Sequence, residues 1–180
     1  MSFYEKYQDE PRMLVARADR EGNISVLTEI FLEKQILNIL DITPKEKWNW
    51  LHLCNMNSYA PAPVPVINFY IQHGVPVNAQ DIYGMTPLHY AMRAKNAEAA
   101  MALLEAGADP NIPNQDNLRP LSMIGYMPNR LDILEMMLDK GANVDNIINE
   151  NETILESYNP KKYPFLDGKI YNIMEPYSKV

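Results

Sequence analysis

Between Thr86 and Gly107 the apolar residues fall into two helical runs separated by a short polar break. Leu88 and Ala91 stand three apart and so share one helix face. Pro87 lies just ahead of them, where its preset φ suits a first helical residue and its missing N–H costs nothing. Thr86 can cap the free amides of that first turn. Small Ala91 lets a neighbouring element approach closely. A second helix is predicted from about Ala97 to Ala106, with Met101, Leu103 and Leu104 available to a core. Gly107 supplies a left-handed residue to end it, and Asp109-Pro110-Asn111 turns the chain into a hairpin-like loop.

This pattern recurs. Asn78 pairs with Asn111, Pro87 with Pro120 and Leu88 with Leu121, all at one constant step. The glycine turn also repeats, as Gly74-Val75-Pro76-Val77-Asn78, Gly107-Ala108-Asp109-Pro110-Asn111 and Gly141-Ala142-Asn143-Val144-Asp145, in two nearly equal steps. The run Asp81-x-x-Gly84-x-Thr86-Pro87-Leu88-His89-x-Ala91, followed by Leu103-Leu104-x-x-Gly107-Ala108-Asp109-x-Asn111, resembles the ankyrin-repeat family. In the following unit Arg119 stands for Thr86, Asn117 for Gly84 and Ser122 for His89.

Extending the frame gives further units. Thr153-Ile154-Leu155 follows Thr86-Pro87-Leu88 by two steps, and Trp50-Leu51-His52 precedes Pro87-Leu88-His89 by one longer step. The extra length of the latter falls in the proline run 61–65, read as a longer loop between helices rather than a ligand for a proline-reading domain. Residues 16–31 read as a helix, a glycine turn at Gly22 and a second helix through Val26, Leu27, Ile30 and Phe31. The resemblance therefore implies an all-α solenoid, one domain over 1–180. Its five helix-turn-helix repeats are joined by hairpin-like loops, at about 8–40, 41–77, 78–110, 111–144 and 145–180. The terminal repeats are degenerate, as repeats with one face in water tend to be. A last helix is expected from about Asp167 to Glu175.

Composition narrows the function. Apolar residues make up 47% of the 180, which excludes a disordered tail. With 23 acidic and 16 basic side chains the formal charge is -7. That argues against nucleic acid, which needs a cationic face, and suits a basic partner as well as plain solubility. No secretory signal or membrane span is expected, and a lone cysteine, Cys54, fits a reducing, cytoplasmic setting.

Candidate chemistry is sparse. His52 and His89 share a repeat position, where the resemblance implies a tie between loops rather than an acid/base pair. His73 precedes Gly74 at a helix C-terminus, a favourable place for an imidazole. Cys54 aligns with Ala91 as a small buried residue. One cysteine and three histidines make no zinc spacing, and Asp139, Asn143 and Asp145 lack a calcium loop's terminal glutamate. Lys161, Lys162, Asp167 and Lys169 form no recognisable catalytic constellation. No enzyme activity, cofactor or metal is expected.

The resemblance implies binding on the concave side, at the hairpin tips and the solvent side of each first helix. The positions are Trp48, Gln80, Ile82, Tyr83, Met85, Arg93, Gln115, Asp116, Leu118 and Tyr126. Flanking positions include Met56, Ala94, Met127, Asn149, Glu150 and Glu152. Trp48, Met85 and Leu118 occupy one hairpin position in three successive repeats and are expected to face solvent as an interface, the alternative being that Trp48 and Leu118 pack on neighbouring loops. The implied function is a non-catalytic protein–protein interaction module. The specific expectation is an immunity protein that neutralises a cognate bacterial toxin, the partner being a basic toxin or effector, with no nucleic acid or membrane involved. The alternative is an adaptor or regulatory scaffold that recruits without inhibiting. Self-association stays open.

Overall fold

The computed structural model describes residues 3–149 and 151–179. A short helix α1 (Phe3–Lys6) leads into α2 (Pro11–Glu21) and α3 (Ile24–Thr28), which continues as a π turn over Glu29–Glu33. Then come α4 (Trp50–Cys54), α5 (Val64–Gln72), α6 (Pro87–Arg93) and α7 (Ala97–Glu105). A 3-10 helix over Pro120–Tyr126 precedes α8 (Leu131–Asp139). Strands β1 (Ile147–Asn149) and β2 (Glu152–Thr153) pair antiparallel, followed by α9 (Ile154–Ser157), α10 (Lys169–Met174) and a 3-10 turn at Glu175–Tyr177.

These elements pair and stack in two layers. In one, α2 packs on α4, α4 on α6 and α6 on the 3-10 helix; in the other, α3 packs on α5, α5 on α7, α7 on α8 and α8 on α10. The repeat spacing places one leucine per unit in the core: Leu51, Leu88, Leu121 and Leu155 are all buried. Each such burial is worth about 2 kcal/mol. At the N-terminal end Phe31 meets Trp50 edge-on with centroids 5.0 Å apart, and Trp50 stacks on Tyr70 at 6.4 Å. Proline starts α2 and α6 and leads into α5 from Pro63, and among the described residues Asn or Thr caps five of the helices.

The hairpin tips keep their backbone while changing residue. Lys47, Gly84 and Asn117 all take positive φ, at 63°, 74° and 60°. Glycine is required at the middle one because a Cβ on Gly84 would come within 3.1 Å of the Asn114 backbone. Asn117 tolerates the left-handed region better than most residues.

Three features differ from the sequence-based expectation. The first element of the fourth unit is a 3-10 helix. The Tyr158 hydroxyl donates to the Ser122 carbonyl and accepts from the Gly125 N–H, both at 2.9 Å, and so takes the place of a turn bond there. The last hairpin forms a small two-stranded sheet within an otherwise helical stack. The final helix is shorter than expected, Lys169–Met174, since Asp167 and Gly168 form its entry turn and Pro176 follows.

Candidate protein-binding groove

Each first helix of the two central hairpins begins with a reciprocal cap. In α6 the Thr86 N–H donates to His89 Nδ1 at 3.1 Å, and Thr86 Oγ1 accepts from the His89 N–H. With Nδ1 accepting, Nε2 carries the proton and donates to the Leu118 carbonyl at 3.1 Å. His52 repeats this with Asn49 and donates to the Met85 carbonyl at 3.1 Å. Both imidazoles are held neutral: burial pushes His89 down to about 4 and lowers His52. These histidines join one hairpin to the next.

The hairpins are also laced together directly. The Ile82 N–H donates to the Glu46 carbonyl, and the Gln115 N–H to the Tyr83 carbonyl. Gln80 Nε2 bonds the carbonyls of Gly84 and Pro113, and Gln115 Nε2 bonds that of Ile82 at 2.7 Å. Behind them the Asp81 carboxylate accepts four hydrogen bonds. Its Oδ1 takes the N–H groups of Tyr83 and Met85, and its Oδ2 takes Trp48 Nε1 at 3.0 Å and the Tyr90 hydroxyl at 2.6 Å. Burial, then the adjoining Asp81, pushes Tyr90 up to about 12. The Arg93 guanidinium lies 4.5 Å from the Tyr90 ring centroid.

On this frame sits a groove of about 570 Å³, spanning three successive units and lined by Trp48, Met56, Tyr83, Met85, Tyr90, Arg93, Asn114, Asp116, Leu118, Met123 and Tyr126. It brings together seven of the ten expected positions. Tyr83, Leu118 and Tyr126 are 51%, 36% and 50% exposed, enough to meet a partner. Trp48 is half-buried, its indole N–H fixed by Asp81 and Tyr90, so it packs on the neighbouring hairpin as well as walling the groove.

Met85 corrects the expectation that its hairpin position faces solvent. At 7% exposed it forms the floor, because Asp81 and His52 pin its backbone inward and Asn114 Nδ2 sits 3.4 Å from its sulfur. Gln80 and Gln115 are spent on the lacing, and Ile82, though exposed, lies outside the groove lining. Ala94 and Met127 are buried, and Glu152 is engaged by Lys162 and Tyr163. Asn149 accompanies it on the small sheet, and Glu150 lies outside the described residues.

Sequence reasoning missed Tyr90, Asn114 and Met123. The signal for Asn114 was available. It follows Asp81 by one repeat step and does the same work, its Oδ1 accepting the N–H groups of Asp116 and Leu118. Among the described residues no group of His, Cys, Asp and Glu is arranged to hold a metal, and no helix is long and apolar enough to cross a membrane.

Residues 62–148 match the family model for ankyrin repeats, in three copies. The chain is 35% identical over 75 residues to the fowlpox virus ankyrin repeat protein FPV244, an overlap of 42% of this chain and 11% of that protein. It is 42% identical over 59 residues to the fowlpox virus ankyrin repeat protein FPV233, covering 32% of this chain and 12% of the relative. To the ankyrin repeat protein nuc-2 of Neurospora crassa it is 27% identical over 130 residues, 71% of this chain and 11% of that protein. The chain thus spans about a tenth of the length of these relatives.

Proposed function

Since residues 62–148 are ankyrin repeats, we propose that the chain is a non-catalytic binding module that seats a partner protein in the groove between Trp48 and Tyr126. Ankyrin repeats are in general protein–protein interaction modules and generally without enzymatic activity. The observation that carries the reading is the row of exposed Tyr83, Leu118 and Tyr126 on a backbone already fixed by hairpin lacing. Large apolar and aromatic groups held rigid lose little entropy on contact and make strong anchors. The test is capture from the native host on the immobilised chain, read by mass spectrometry. The double variant Tyr83→Ala, Leu118→Ala should lose the captured protein while its circular dichroism stays unchanged. Retention of the same protein would remove the groove from consideration.

Our finer reading is that this binding blocks a basic toxin in the cytoplasm, as an immunity protein does. The formal charge of -7 supports it by favouring encounter with a basic partner. Co-expression with a toxin encoded beside the gene should restore growth. Capture of a partner without protection favours the adaptor reading instead.

A further inference from the structure

A second cavity, of about 360 Å³, opens between α2 and α4, apart from the groove. Its walls include Val15, Trp50 and Leu53, and Asp19 lines it. The Asp19 side chain is unusual: it is 5% exposed, and among the described residues its one hydrogen-bond partner is the Tyr70 hydroxyl, which donates to Oδ1 at 2.7 Å. A carboxyl group taken out of water with a single donor is costly to keep, and it asks for a second donor. Burial pushes it up to about 7, with the Tyr70 hydrogen bond opposing.

At the mouth, α2 carries Arg12 and Arg20, both exposed and both lining the cavity. The Arg12 guanidinium lies 5.3 Å from the Trp50 ring centroid. Neither arginine is ion-paired among the described residues. The cavity lining therefore combines a buried carboxyl, two exposed guanidinium side chains and apolar walls.

We propose that this cavity is a binding site for a small zwitterionic amino-carboxylate, whose ammonium meets Asp19, whose aliphatic body lies on Trp50, Val15 and Leu53, and whose carboxylate meets Arg12 and Arg20. A lone cation would be opposed by the arginines, and a lone carboxylate by Asp19. A molecule with both charges on a short aliphatic chain satisfies each end.

The probe is 6-aminohexanoate, titrated into the ¹⁵N-labelled chain at pH 7.5, with hexanoate as the comparison. Saturable amide shifts over residues 12–20 and 50–60 are expected, with 6-aminohexanoate binding at least tenfold more tightly than hexanoate. Asp19→Asn keeps the shape and removes the charge, and it should weaken 6-aminohexanoate at least tenfold. Arg12→Ala with Arg20→Ala should weaken it similarly. Absence of shifts on the unaltered folded chain would overturn the proposal, as would equal binding of the two probes, or binding undiminished in folded Asp19→Asn. None of these readouts involves the groove or its partner protein.

Discussion

The indole N–H of Trp48 donates to the carboxylate of Asp81, one repeat further along the chain, at 3.0 Å. The same N–H lies 2.9 Å from the Tyr90 hydroxyl, which itself donates to Asp81. One hairpin is thereby fastened to the next behind the groove wall. Trp48→Phe keeps the aromatic surface and removes the donor. It is expected to lower stability by about 2 kcal/mol, as the loss of a hydrogen bond to a charged group does. Urea denaturation measures it, and an unchanged midpoint would show that the Asp81 cluster does not depend on Trp48.

Acid should loosen the stack through its histidines. Burial lowers His52, and it lowers His89 from 6.5 to about 4. For a depressed folded value, the stability contributed is present above 6.5 and is lost as pH falls through the folded value. His89 alone accounts for about 3 kcal/mol across that window. Unfolding free energies taken at intervals from pH 7 to pH 4 should fall for the unaltered chain and fall less for His89→Gln.

Asp19 should act in the opposite sense. Its folded value is raised from 3.8 to about 7, first by burial. Its contribution is full below 3.8 and is lost as pH rises through about 7. Asp19→Asn cannot ionise, so its stability relative to the unaltered chain should climb between pH 4 and pH 8, by on the order of 4 kcal/mol. A pH-independent difference would mean that Asp19 is not held out of water.

Tyr158 ties the C-terminal unit to the 3-10 helix. A Cβ on Gly125 would lie 2.9 Å from its hydroxyl oxygen. Gly125→Ala should push that hydroxyl off its two partners, and Tyr158→Phe should remove it. Each is expected to cost about 1–2 kcal/mol and to raise hydrogen exchange in α9 and α10 ahead of α6. Uniform exchange along the stack would contradict a local tie.

Most of the stack was legible because its local rules are strong. Pro87 and Leu88 begin a helix, Gly107 ends one, and a nearly constant repeat step carries both onward along the chain from there. Burial at the hairpins was harder to read. Met85 and Leu118 hold the same repeat position, yet one is 7% exposed and the other 36%. His52 and Asn114 converge on Met85 from the units on either side. Such convergence is tertiary, and spacing alone does not report it. The 3-10 helix was hidden for a similar reason, since it depends on Tyr158, which belongs to the following unit.

The asparagines of the glycine turns form a chain of identical ties. Asn78 Nδ2 bonds the Gly107 carbonyl and its Oδ1 accepts the Asp109 N–H; Asn111 does the same with Gly141 and Asn143. Every tie spans a single unit, from the asparagine that opens it to the glycine turn that closes it. A duplicate of residues 78–110 spliced in after position 110 would therefore bring its own fastening with it, and the units on each side would keep theirs. Whole units can thus be added or removed with every one of these ties intact, as a chain of links can be lengthened at any joint.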